Sequence, residues 1–147
     1  MKYQEKCECC GGVVTAYTHR LNVPLVKALR KLVDYFEKYH LACNLQKSLD
    51  LTHNQLANFQ KLQYFGLVYG AKGGWIPTEE GIKFIHGEVT CMDIVATMAN
   101  QVLSYDHKAW ETHSKEPMAV NISDIDYYSY KRREEYQAEK SPQANLF

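Results

Sequence analysis

No apolar run in this sequence approaches the roughly 20 residues that a membrane-spanning helix needs, and charges stand near the N-terminus where a signal peptide would be apolar. Both absences point to a cytoplasmic protein. Also missing are a glycine-rich phosphate loop, a Ser-His-Asp series on a recognisable turn and a carboxylate pair in a plausible cleft. No thiol has the local cationic surroundings that activate a nucleophile. An enzyme is therefore not expected. The five cysteines are odd in number and clustered, which speaks against a disulfide framework and for a reducing compartment with metal ligation.

What is present suits one domain with an extension: 147 residues, 46% of them hydrophobic, can fill a modest core. The net charge of zero conceals an asymmetry. Residues 1–89 carry eleven Lys and Arg against eight Asp and Glu, a net +3, and residues 90–147 carry six against nine, a net −3. That bias permits phosphate contacts without demanding them.

The stretch from Leu51 to Ile85 is the organising one. Thr52 and Gln55 have the spacing of a capping box, in which each side chain satisfies the other's backbone N–H. Leu56, Phe59, Leu62 and Phe65 follow at helical spacing, and Gly66 stands where a helix stops. Leu67-Val68-Tyr69 and Trp75-Ile76-Pro77 read as two strands of a tight hairpin. Thr78 and two glutamates then open another helix. Upstream, Asn22 caps a helix over Asn22–Leu41, with Pro24 in its first turn and a buried stripe of Leu25, Leu29, Leu32, Phe36 and Tyr39. Leu45–Leu49 suits a short second helix.

The run L..FGLV....GGW.PTEEG from Leu62 to Gly81 resembles the end of the recognition helix and the wing of winged helix-turn-helix regulators. The likeness covers roughly Asn22 to Gly87. It implies an α+β fold with Thr52–Phe65 as recognition helix, its apolar side committed to the core. His53, Asn54, Asn58, Lys61 and Tyr64 are then the outward, nucleic-acid-binding set, with Lys72 at the wing tip. Carboxamides pair with an adenine edge and lysine meets guanine or phosphate. The helix carries no arginine, which implies modest affinity. The alternative is an exposed polar face that binds protein or nothing, since this fold is reused for interaction modules.

Before that region, Cys7-Glu8-Cys9-Cys10-Gly11-Gly12 holds a C-x-x-C with glycines that permit a tight turn. It resembles half a zinc ribbon, without the second C-x-x-C. A structural zinc site needs four ligands, so Cys9 and His19 are the nearest candidates to join Cys7 and Cys10, with Cys43, His86 and Cys91 further off. A reduced, metal-free turn is the alternative, and a thioredoxin-like redox role ranks below both.

Residues 88–130 are expected to form a partly β extension. Val89–Tyr105 fits either a helical stripe or two strands joined at Ala99-Asn100, and FIHGEV with the later VNISDID is similar to a group of small phage-type proteins in which strands are expected. His107, Trp110 and His113 read as a polar loop, and Ala119–Ile125 as a final strand. Residues 131–147 form a charged tail ending Gln143-Ala144-Asn145-Leu146-Phe147. That end resembles the peptide by which bacterial replication and repair proteins dock on the sliding clamp, with Ala144 where a leucine is common. It implies Gln143, Leu146 and Phe147 as partner-binding residues. The chain is thus read in four parts: a zinc-knuckle-like segment 1–21, a winged helix 22–87, the extension 88–130 and the tail. The expected function is a DNA-binding regulator or replication accessory protein, of phage type and compatible with a homodimer. A protein-interaction adaptor that docks on the clamp through its tail is the competing reading.

Overall fold

Asn22 begins the scaffold. Its side chain accepts the Leu25 N–H at 3.0 Å, and from that cap α1 runs over Val23–Tyr39. The helix ends at His40, whose left-handed φ of 53° lets its N–H reach back to the Phe36 carbonyl. One face of α1 is fully sequestered by Leu25, Val26, Ala28, Leu29, Leu32 and Val33. The apolar stripe therefore stops a turn earlier than expected: Phe36 is only half-buried and Tyr39 is 49% exposed. Burying each Leu or Val of such a face contributes about 1.5–3 kcal/mol, enough to hold a helix whose exposed face is mostly charged.

The structure, a computed structural model, describes residues 3–113 and 115–125. Past α1 the chain forms a one-turn helix α2 (Leu45–Ser48) and then α3 (His53–Asn58). The capping box is present in full. Gln55 N donates to Thr52 Oγ1 at 3.1 Å, and Thr52 N donates to Gln55 Oε1 at 2.9 Å. The Gln55 amide also donates to the Pro24 carbonyl at 3.0 Å, which ties the start of α3 to the start of α1. Beyond Asn58 the helix tightens, and Phe59–Phe65 is 3-10 rather than α. The expected single helix over Thr52–Phe65 is thus two segments of different pitch. Phe59 and Leu62 still reach the core, with Gly66 at φ 76° ending the run.

Strands β4 (Val68–Ala71) and β5 (Gly74–Pro77) form an antiparallel hairpin around a Lys72-Gly73 turn. Its inner edge is held by paired backbone bonds between Cys43 and Trp75, both 2.9 Å. Gly74 is required there: a Cβ at that position would lie 1.9 Å from the Cys43 carbonyl oxygen. Thr78 caps α4 (Glu79–Ile85) and its hydroxyl donates to the Gly66 carbonyl at 2.6 Å, closing the base of the hairpin.

The remaining strands are short and antiparallel. Gln4–Lys6 (β1) pairs with Val13–Thr15 (β2), carrying the cysteine turn between them. Tyr17–Arg20 (β3) pairs with Ile94–Met98 (β7), which pairs in turn with Gln101–Val102 (β8). Of the two readings of Val89–Tyr105, the strands are correct. Ala99 and Asn100 take positive φ of 50° and 63°, the backbone that a tight two-residue hairpin turn demands. Cys91–Met92 (β6) pairs with Ala119–Val120 (β9). The expected final strand over Ala119–Ile125 is only those first two residues, because the chain turns helical over 122–125, where Asp124 and Asn121 exchange backbone–side-chain bonds. Nor is Lys108–Thr112 an open loop. It is a 3-10 turn capped by His107, whose Nδ1 accepts the Ala109 N–H at 3.0 Å. The architecture is mixed α+β: helices and a hairpin around one core, with three further small sheets.

Candidate functional site

Two features carry chemistry: the cysteine turn and the polar face beside α3. In the first, Gly11 adopts φ 71°, and Cys7 N–H···O=C Gly12 (2.7 Å) and Gly11 N–H···O=C Cys7 (2.9 Å) fold the turn shut. That geometry brings the Cys7, Cys9 and Cys10 sulfurs within 4.8 Å of one another. The Cys7 and Cys9 sulfurs are 2.9 Å apart. The thiol of Cys9 and the backbone N–H groups of Cys10 and Cys9 stabilise the Cys7 thiolate, lowering its pKa to about 7, while Cys9 is raised by the same contact. Thiolates in this arrangement are soft donors that suit a thiophilic ion.

His19 is not a fourth member. It lies on β3, where Nε2 sits 2.8 Å from Thr97 Oγ1 and the ring stacks on Tyr64 with centroids 5.0 Å apart. The antiparallel pairing of β3 with β7 places His19 opposite Val95, and the group of ligand atoms that lie together is Cys7, Cys9 and Cys10 without it. The more distant candidates are committed elsewhere too. Cys43 and Cys91 are buried, with Cys91 pushed up to about 12 first by burial and then by Asp93 and Glu80. His86 pairs with Glu37 at 2.5 Å. Among the described residues the donor set is three sulfurs, one short of a closed zinc site.

The second feature differs from the expected outward cylinder. His53 and Asn54 are exposed, but Asn58, Lys61 and Tyr64 are half-buried. β3 stands beside them, so that Thr18, His19 and Arg20 face Asn54, Asn58 and Lys61 across a cavity of about 280 Å³. The Asn58 amide is spent locally, donating to the Asn54 carbonyl at 2.8 Å and its Oδ1 at 2.7 Å. Lys61 lies near enough to His19 to depress its pKa, a smaller effect than burial of the ring. On the opposite flank of the 3-10 segment, Gln60, Gln63, Tyr64, Val68, Tyr69 and Asn100 line a more open cavity of about 600 Å³. Neither cavity is lined by a carboxylate. Lys72 is exposed at the hairpin turn, as expected. The pairing of β3 with β7 puts His19 and Asn100 around this helix, a contribution that no local pattern signalled. Gln143, Leu146 and Phe147 lie outside the described residues.

Fold and site together define a class and no more: an α+β chain with a cysteine cluster able to hold a metal ion, in which no helix among the described residues is long and apolar enough to cross a membrane. Comparison with family models, curated proteins and solved structures found no match.

Proposed function

We propose that this chain binds nucleic acid through the surface built by α3, the 3-10 segment Phe59–Phe65 and the β4–β5 hairpin, as a regulator or replication accessory protein. The observation that carries the reading is the chemistry of the surface: carboxamides, tyrosines and Lys61 line two cavities from which acidic side chains are absent. Phosphate repels carboxylates, and a chain of zero net charge that keeps them off one face has made that face compatible with a polyanion. The order of elements supports it as well. Helix α1, the Cys43 bridge to β5, α2, α3, the hairpin and α4 follow one another as they do in a winged helix-turn-helix, with Lys72 at the wing tip. Zinc is the ion we assign to Cys7, Cys9 and Cys10, in a structural role that would brace the β1–β2 turn.

Fluorescence anisotropy with labelled single-stranded and duplex oligonucleotides, titrated over a range of salt, tests the reading. The expected result is binding that weakens steeply as salt rises, with Lys61→Ala lowering affinity and reducing the salt slope by about one. Asn54→Ala removes an exposed carboxamide and weakens binding with less effect on the slope. A chain that ignores every oligonucleotide at low salt, yet is retained by a bacterial sliding clamp through Gln143, Leu146 and Phe147, would overturn this reading in favour of the adaptor.

A further inference from the structure

We propose that the nucleic acid this chain takes is single-stranded, with unpaired bases stacked in the trough between the 3-10 segment and β4. The inference rests on the nucleic-acid reading above and narrows it to a substrate class. Two independent sets of observations lead there.

The first concerns what would enter a duplex. A major groove about 12 Å wide accepts a helix whose reading face stands clear of its neighbours. Here the regular α-helical part is only His53–Asn58, roughly 9 Å at 1.5 Å per residue, before the pitch changes. Strand β3 runs beside it, leaves Asn58 and Lys61 half-buried and places His19 on the ring of Tyr64. The face has become one side of a slot. A duplex approaching that face would meet β3 first.

The second concerns what the trough offers. Its lining supplies two phenol rings, three carboxamides and the Val68 side chain, with no ionised group. Tyr69 is 48% exposed on β4, and Tyr64 is half-buried with His19 stacked on its ring; both line the trough with the carboxamides. Rings stack on the π-faces of bases, which a duplex conceals, and carboxamides can also pair with the Watson–Crick edges that only an unpaired base leaves open. Lys61 lines the cavity on the other flank and Lys72 is exposed at the hairpin turn, the two cations of these elements available to phosphates. Asn100 is delivered by the positive-φ turn between β7 and β8, so three parts of the fold converge on the same trough.

The test is anisotropy on the full chain with a labelled oligothymidine of roughly 16 nucleotides, within the known range of single-strand site sizes. Parallel arms use the ribose counterpart and a duplex of the same length. The expected result is single-strand binding at least about tenfold tighter than duplex binding at equal salt, with the deoxy and ribo arms separating DNA from RNA as the source. Tyr69→Ala should weaken single-strand binding roughly fivefold or more, whereas Tyr69→Phe, which keeps the ring, should stay within about twofold. Tyr69 is exposed, so a thermal melt should match the wild type and exclude misfolding. Duplex affinity equal to or above single-strand affinity, or a Tyr69→Ala variant that binds as the wild type does, overturns the inference while leaving the nucleic-acid reading standing. Binding to none of the three probes removes both.

Discussion

The imidazole of His19 lies on the ring of Tyr64, centroids 5.0 Å apart and planes 25° from parallel, while its Nε2 stands 2.8 Å from the hydroxyl of Thr97. One side chain thus clasps β3 to both β7 and the 3-10 segment. Burial first, and the Lys61 charge second, hold its pKa below the ordinary histidine value. The unfolded chain therefore binds a proton more readily than the folded one. Stability from this residue is fully present above the unfolded value of about 6.5 and is lost as pH falls through the lower folded value. Thermal melts between pH 7 and 5 should show Tm falling more steeply for the wild type than for His19→Gln. Equal slopes would refute the assignment.

The cysteine turn makes a separate prediction. The purified chain should retain about one equivalent of zinc, and Cys7→Ser, Cys9→Ser and Cys10→Ser should each weaken retention against a chelator on the order of tenfold or more. His19→Gln should leave zinc retention unchanged, because that ring is engaged with Thr97 and Tyr64. Loss of zinc in the His19 variant would restore the histidine to the ligand set.

Glycine positions separate propensity from packing. Gly81 is in α4, where alanine would ordinarily add about 1 kcal/mol to helix stability. A Cβ there would meet the Leu67 carbonyl oxygen at 2.1 Å, so Gly81→Ala should instead lose about 2 kcal/mol or more in urea denaturation. At Gly66 a Cβ meets nothing within 4 Å and only the positive φ is strained. Gly66→Ala should cost about 1–2 kcal/mol. The reverse ranking would mean that the α4–hairpin contact relaxes easily.

The capping box predicts an asymmetric pair. Thr52→Ala removes one cap acceptor and should cost about 1 kcal/mol. Gln55→Ala should cost more, about 1–3 kcal/mol, because the buried amide serves the Thr52 N–H and the Pro24 carbonyl together. Comparable chemical-denaturation midpoints for the two variants would show that the link to α1 contributes little.

Much of the local structure could be read from residue order. Asn22, Thr52 and Thr78 all cap the helices they were expected to cap, and Gly66 ends the 3-10 run. The hairpin turn at Lys72-Gly73 is also where spacing put it, whereas the strand pair around Ala99-Asn100 was one of two readings that the residue pattern left open. The candidate surface was less legible. His19 was grouped with the cysteines because it is near them in sequence, whereas strand pairing commits it to Thr97, 78 residues away. Lys61 and Tyr64 were expected to point outward on a helix, and helical periodicity contains no information about a strand arriving from the N-terminal side.

The division follows from the range of the forces. Caps, glycine stops and tight turns are satisfied by backbone groups three or four residues off, so Thr52 with Gln55, or Gly11 with Cys7, determine their own geometry in any surroundings that tolerate it. Whether a polar helix face is an open rod or the wall of a slot depends on where β3 finds its hydrogen-bonding partner. That choice goes with the burial of Ala16, Leu21, Ile94 and Ala96 on and beside the β3–β7 pair, and it belongs to the tertiary structure alone.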